Sequence, residues 1–439
     1  MKRTKIAVED LSLVEINNSL AIENPLGGDT LDESGVSVTM DRLDGIGEQH
    51  LSNVSEGQEA IAALESMGHY LQKNGSTTLG KSGVKFANIA IEQLCVKAKC
   101  SLEDLPIDVG VFESNPDAAI TTGVETIKKM QASITESMAG DMTKLLLTLT
   151  QKRELFNKAI QHMYHRIDEV QEALDDYKGD RDASLRMYLN VEPSWKEFFY
   201  GENDVQAGAT VVPDIDFLMT EHTHLFRRLI KRQLDWITQH KDNVLSAKEG
   251  FSEYSFNPVE FNISGTVLAD NSDTIQHYIS ATVLPGNRLF NCTIPSKLKT
   301  GFDGVQSLLQ SKAFLSEEIV AGKEIRAIRK INVLRVTQIE ARLAELKHGL
   351  TMLKKWCDSA YCDLWKEAFF DTTMISFLLK TEAGSLNERG LSLLSQAILS
   401  LLDNSSKDIG QYALLTFSAL LEYVECSMSA WLPNEDINE

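Results

Sequence analysis

Long apolar runs are missing from this chain. No stretch approaches the roughly 20 apolar residues that a membrane-spanning helix needs, so the sequence predicts no membrane partner. Proline is scarce, nine in 439 residues, and so few breakers favour long helices. The six cysteines, Cys95, Cys100, Cys292, Cys357, Cys362 and Cys426, are too sparse for a disulfide framework. The opening MKRTKIAVEDLSLVE is charged at both ends without an apolar core, which argues against a signal peptide. These features predict a chain made in the cytosol with reduced thiols. Positive charge is in deficit too: 43 Lys and Arg against 63 Asp and Glu give a net charge of −20. That argues against sequence-independent DNA binding, which needs clustered cations on phosphates. G-x-G-x-x-G, Walker-type loops, G-x-S-x-G and H-E-x-x-H are all absent, so no common catalytic signature speaks for an enzyme.

The first 60 residues lack still more. Between Ile6 and Ala60 there are twelve acidic residues and one basic residue, Arg42, and no Phe, Trp or Tyr occurs before Tyr70. Glycines cluster at Gly27, Gly28, Gly35, Gly45, Gly47 and Gly57. Such a stretch has little apolar mass to offset its ordering entropy. Residues 1–54 are therefore expected to be a disordered acidic leader.

What is present is helical periodicity. From Pro116 to Tyr177 apolar residues recur at threes and fours, from Ile120 and Val124 through Met138 and Leu149 to Val170 and Leu174. Asn115 or Ser114 can cap this helix and Pro116 suits its first turn; Gly123 and Gly140 are the expected places for a bend. Further helices are predicted at Glu56–Lys73, Ser82–Lys99, Asp214–Lys248, Glu317–Phe370, Asn387–Asp403 and Lys407–Trp431. A long aromatic connection, 178–213, carries Tyr188, Trp195, Phe198, Phe199 and Tyr200. Between Phe251 and Lys299 the period moves towards two, with turns at Ala269-Asp270-Asn271 and Pro285-Gly286-Asn287, predicting three or four antiparallel strands. The expected fold is mainly α: an elongated bundle of long antiparallel helices with a small antiparallel β insertion and a disordered acidic N-terminus. Its parts are the leader 1–54, a helical region 55–250, the insertion 251–300, and a C-terminal bundle 301–439 packed on the long helix.

Two Glu-x-x-His motifs, Glu221/His224 and Glu345/His348, are the best chemical candidates. On a helix this spacing puts carboxylate and imidazole on one face, as in ferritin-like di-metal bundles, which need two further inward Glu residues. No such pair stands out, and among nine histidines about one match arises by chance at ordinary Glu abundance. His162 and His165, and His222 with His224, read as surface histidines. Cys95-x4-Cys100 and Cys357-x4-Cys362 lack the C-x2-C spacing of zinc sites and read as packed helix cysteines. The basic runs Arg227, Arg228, Lys231, Arg232 and Lys323, Arg326, Arg329, Lys330, Arg335 read as solvated faces, with contact to confined nucleic acid as the sharper alternative.

The acidic aromatic-free leader, the phrase AALESMGHYLQKNG, the long helices with one β insertion, and Ile279–Ser296 (ISATVLPGNRLFNCTIPS) together resemble internal head proteins of giant tailed bacteriophages that carry a propeptide. The resemblance implies a non-enzymatic virion structural protein inside the head, made in the bacterial host cytoplasm. It implies other virion proteins and a prohead protease as partners, weak contacts with packaged DNA, and no cofactor. Cleavage after Glu in x-x-Glu contexts would fall at Glu15, Glu23, Glu33, Glu48 or Glu65. Glu48 is the first expectation, because Gly45 and Gly47 would give it an extended backbone; Glu65, inside a predicted helix, is second. A cut at Glu48 would remove a net charge of −6. The alternatives are the di-metal bundle and a helical scaffold or effector that binds a protein through the Tyr188–Tyr200 loop.

Overall fold

The computed structural model describes residues 33–98, 106–198, 211–245, 254–256, 266–271, 275–280, 283–297, 299–316, 330–358 and 386–432. About 75% of them are helical. Helix α1 spans Glu33–Thr78, α2 Lys81–Lys97, α3 Val109–Ser114 and α4 Pro116–Asp176. At 1.5 Å per residue α4 is about 90 Å long. The Asn115 side chain caps it by accepting from the Ala118 N–H at 3.2 Å, and Pro116 occupies its first turn. No break occurs at Gly123 or Gly140. At Gly123 the missing side chain has a different use: a Cβ there would lie 2.6 Å from Ile107 Cγ1. The Ile107 backbone is held in turn by Asn88 of α2, whose amide donates to the Ile107 carbonyl at 2.8 Å and accepts from its N–H at 3.1 Å.

The expectation that order begins near residue 55 is corrected: α1 begins at Glu33. Leu43, Gly47, Val54, Gly57, Leu64, Gly68 and Leu71 are buried at helical spacing. Half of that stripe is glycine or too thinly apolar to register as a hydrophobic pattern. Gly57 instead lets α1 lie close on α4: a Cβ there would meet Met138 at 2.7 Å, whereas one on Gly68 would reach Ile127 at an ordinary 3.8 Å. The two helices are antiparallel, with Asp44 against Lys152 at the other end of the contact.

The aromatic connection is ordered where it is described. Strand β1 (Tyr188–Asn190) pairs antiparallel with β8 (Lys330–Asn332), and a 3-10 turn follows at Pro193–Phe198. Helix α5 is Val211–Leu245, after which β2 (Ser255–Phe256) pairs with β6 (Lys299–Thr300). Strands β3 (Thr266–Asn271), β4 (Ile275–Ser280), β5 (Phe290–Pro295) and β7 (Lys312–Leu315) form one antiparallel sheet in the order β3-β4-β5-β7. Ala269-Asp270-Asn271 is not a turn: it belongs to β3, with a register shift between Leu268 and Asp270. The Pro285-Gly286-Asn287 turn is present, and Gly286 and Asn287 take positive φ of 70° and 60°. The insertion also extends past residue 300, since α6 (Gly301–Leu309) leads into the edge strand β7.

The expected helix Glu317–Phe370 is shorter. Lys330–Asn332 is strand, so α7 runs Val336–Asp358, and 359–370 lie outside the described residues. The two expected terminal helices are one, α8, Leu386–Ser429. Asn404-Ser405-Ser406 continues the helix despite its polar composition. Helices α7 and α8 cover the second half of α4, α7 antiparallel to it and α8 parallel. Tyr164 meets Thr351 and Arg153 meets Asp358, while Gly410 sits by Phe156 and Trp431 stacks edge-on to Tyr177. A single buried cluster runs from Val54 through α4 to Met428.

Candidate functional site

Helices α5 and α7, which carry the two Glu-x-x-His motifs, pack together. The described members of those motifs do not converge on a metal. Glu345 is half-buried and ion-pairs with Arg342, one turn earlier on α7. His348 is exposed, its Nε2 4.0 Å from Asp216 Oδ2 of α5. The backbones of Glu221 and His224 lie within α5; their side chains are outside the description. Among the described residues no group of three or more His, Cys, Asp or Glu side chains could hold a metal ion. His165 is exposed and lies 3.4 Å from Glu169, one turn on.

The cysteines are core residues where they are described. Cys95 is buried with its Sγ 3.7 Å from Met130 Sδ. Burial pushes the Cys292 thiol up to about 12. Burial, then the neighbouring Asp358, raises the Cys357 thiol. Burial, then Glu422, Glu425 and Glu192, raises Cys426. A nucleophilic or metal-binding cysteine needs the opposite shift, towards thiolate. Cys100 and Cys362 lie outside the described residues.

Of the basic runs, Arg228, Lys231, Lys330 and Arg335 are exposed, as solvated faces should be; 323–329 lie outside the description. The aromatic connection divides. Tyr188 is 64% exposed, while Trp195 is 1% exposed and packs 5.4 Å from the Tyr423 ring. Ser194 donates to Glu422 at 2.8 Å, which pins this turn to α8.

Glu48 and Glu65 both lie inside α1. Protease active sites take extended backbone, and α1 supplies none without melting. The extended backbone expected from Gly45 and Gly47 is therefore absent: Gly47 is buried, and Glu48 is flanked by two cross-helix charge contacts. Asp44 Oδ1 lies 2.5 Å from Lys152 Nζ, with side chains only 4% and 1% exposed. His50 Nδ1 lies 2.8 Å from Asp141 Oδ1, with 16% and 14% exposure. Sequence reasoning missed both. A signal was there: Lys152 occupies an apolar row with Leu145, Leu149 and Phe156, a position that places its ammonium in the seam.

The remaining polar contacts tie elements together. Arg166 makes a bidentate pair with Glu425, at 2.8 and 2.6 Å. The hydroxyl of Tyr423 donates to the Asn332 carbonyl at 2.7 Å, and Trp431 Nε1 donates to the Leu334 carbonyl at 2.8 Å. Tyr412 donates to the Pro285 carbonyl at 2.8 Å, docking the sheet on α8. Burial holds the Tyr254 phenol well above its usual range, and that hydroxyl donates to Gln233 at 2.7 Å. All of this arrangement joins helices and strands. Compared with protein-family models, curated proteins and solved structures, the chain matches none. No helix among the described residues is long and apolar enough to cross a membrane.

Proposed function

We propose that this chain is a non-enzymatic structural protein of a giant tailed-phage particle, elongated and packed inside the head. In this reading it is made in the host cytoplasm, assembles with other virion proteins, and loses an acidic N-terminal leader to a prohead protease. The observation that carries the reading is α4 itself. It is a 61-residue helix whose apolar row is buried along its length by α1, α7 and α8 of the same chain. A spine covered in this way gives stiffness and leaves its polar face free for neighbours. The resemblance of the leader, AALESMGHYLQKNG and Ile279–Ser296 to internal head proteins supplies the setting.

The leader boundary in this proposal moves upstream. Glu48 and Glu65 lie in a packed helix, so the favoured x-x-Glu positions become Glu15, Glu23 and, at the first residue of α1, Glu33. A cut after Glu33 removes seven acidic and three basic residues, taking the net charge from −20 to −16. Less negative charge eases coexistence with packaged DNA. Mass spectrometry of the mature N-terminus from purified particles tests this, with Ile16, Asn24 or Ser34 expected first. An intact Met1 or Lys2 end would sink the processing claim, and absence of the protein from particles would sink the whole reading.

A further inference from the structure

Large apolar side chains are exposed at ten described positions, and eight of them sit at the two ends of α4. Near its N-terminal end are Tyr70, Phe86, Ile89, Val96 and Val111; near its C-terminal end are Met187, Tyr188 and Leu432. The first group is a patch. Phe86, Ile89 and Val96 recur at helical spacing on the outer face of α2, with exposures of 72%, 50% and 72%. The register of α1 against α2 is fixed on that face by the pair Glu59–Lys97. Tyr70 lies eleven residues after Glu59, and Phe86 eleven before Lys97, each about three helical turns. Tyr70 and Phe86 therefore fall at matching levels of the two helices, and the patch crosses both.

Charge distinguishes the two ends. Ser66–Lys97 holds four lysines and one Glu, and with Glu59 and Glu113, which pair with two of those lysines, the patch is net +1 in a chain of net −20. Lys81 and Lys97 pair with Glu113 and Glu59, while Lys73 and Lys85 stand exposed beside the apolar row. Asp168–Tyr188 holds seven acidic and three basic residues, net −4. Asp168 pairs with Lys347 and Arg181 with Glu340, while Glu172, Asp176, Asp180 and Asp182 are exposed there.

We propose that the chain associates end to end with copies of itself. The lysine-bearing apolar patch on α1 and α2 of one copy seats on the acidic, tyrosine-bearing end of α4 in the next. The two surfaces differ, so the contact is heterologous and repeats into an open series rather than closing as a two-fold dimer. It rests on the structural reading above only for the high local concentration that a weak contact needs. The apolar areas are small, at the low end of interfaces (below about 1,200 Å² in total), so association is weak and salt-dependent.

The test uses the purified full-length chain in sedimentation velocity and light scattering over a concentration series. The expected result is an average mass that climbs past the dimer at low salt and returns to the monomer near 0.5 M salt, roughly, where screening is short-ranged. Phe86→Glu and Tyr188→Glu each abolish the climb, and an equimolar mixture of the two gives a species that stops at the dimer, because each copy keeps one intact end. Leu268→Glu, exposed on the edge strand β3 of the sheet, leaves the climb unchanged. Far-UV circular dichroism confirms that each variant is folded. Three outcomes overturn the proposal: a monomer at every concentration, a dimer that Phe86→Glu abolishes and Tyr188→Glu does not, or a climb that neither variant changes. None of them bears on the mature N-terminus, so the proposed function stands or falls separately.

Discussion

The two halves of α4 are buried by different means. Up to Lys152 its partner is α1, close in sequence, and the seam is rich in polar groups. Asp44, Gln58, Gln131, Thr135, Thr148 and Lys152 are all buried there, between glycines and modest aliphatics. Thr135 and Thr148 return their hydroxyls to their own helix, to the Gln131 and Lys144 carbonyls at 2.8 and 3.0 Å. From Leu155 onward the partners are α7 and α8, 183 residues away in sequence at the Tyr164–Lys347 contact and 259 at Arg166–Glu425. That seam is apolar: Phe156, Ile160, Met163, Ile167 and Leu174 against Leu346, Leu350, Leu353, Trp356, Phe417, Leu420 and Val424. Its ion pairs, Arg153–Asp358, Arg166–Glu425 and Lys347–Asp168, lie at the rim. Local pairing costs little loop-closure entropy, so the first seam tolerates polar groups that fix register. A distant partner must be held by area, at about 1.5–3 kcal/mol for each fully buried large aliphatic.

The sharpest way to break this comparison is Lys152→Met. It takes the ammonium away from an Asp44 carboxylate only 4% exposed, and removing one member of a buried pair costs about 3–5 kcal/mol. Asp44→Leu with Lys152→Met removes both charges and should restore stability to within about 1 kcal/mol of the parent, or exceed it. Urea unfolding followed by far-UV circular dichroism measures both. All five tryptophans, Trp195, Trp236, Trp356, Trp365 and Trp431, fall after α4 in sequence. Trp356 and Trp431 lie beside the second seam, so fluorescence responds to it, and in Lys152→Met its transition should lag the dichroism. Coincident transitions with a loss below about 1 kcal/mol would erase the contrast between the halves.

The second seam was the more legible one, for the same physical reason. Its leucines and aromatics stand at threes and fours, and α4 itself was bounded correctly because Asn115, Pro116 and the apolar row all agree. The first seam was misread because its contact surface is made by absence. Gly47, Gly57 and Gly68 signal flexibility in a sequence, yet in α1 all three are buried, and at Gly57 a side chain would collide with Met138 of α4. The end of α7 was misplaced for another reason: Lys330–Asn332 pairs with Tyr188–Asn190, about 140 residues earlier, and no local pattern announces such a partner. For the candidate metal residues, spacing alone put Glu345 and His348 on one helical face. It could not show that Glu345 would turn to Arg342 and His348 to solvent.

Smaller effects follow at the rim and in the packing. Arg166→Ala removes a two-pronged, partly buried pair with Glu425 and should cost about 1.5–3 kcal/mol. Lys347→Ala, at a more exposed pair 3.3 Å long, should cost under about 1 kcal/mol. Glycine substitutions compare the seams directly. A Cβ on Gly410 would lie 2.8 Å from Phe156 Cζ and 2.9 Å from Trp356 Cζ3, rigid rings that cannot yield. Gly410→Ala should therefore cost about 1–3 kcal/mol. On Gly57 the intruded atoms are Met138 Cγ and Sδ, at 2.7 Å, and a thioether chain can re-route. Gly57→Ala should come out near neutral, because the strain is offset by about 1 kcal/mol of helix propensity. Thermal or urea unfolding of the pair checks this, and an equal loss at both positions would mean that the first seam is as rigid as the second.

The smallest expected effect separates the seams by pH. Four buried groups whose protons are held above their usual range lie outside the α1–α4 contact: Cys357 and Tyr423 beside the second seam, Cys292 and Tyr254 in and under the sheet. In each the largest cause is burial, which disfavours the anion. An unfolded Cys292 titrates near its ordinary 9.0, the folded one near about 12. Between those values the folded state keeps a proton that the unfolded state has lost. The stabilisation is whole below pH 9 and falls as pH rises through the window. From pH 8 to pH 9.5 the loss is under about 1 kcal/mol per thiol, and smaller for the phenols, whose unfolded values are higher. The tryptophan transition should thus move to lower urea over that range, while Cys292→Ala, compared with its own pH 8 value, moves less. A transition that shifts equally in parent and variant would show that the thiol at β5 has no part in it, and would leave the alkaline response to charge repulsion across the acidic chain.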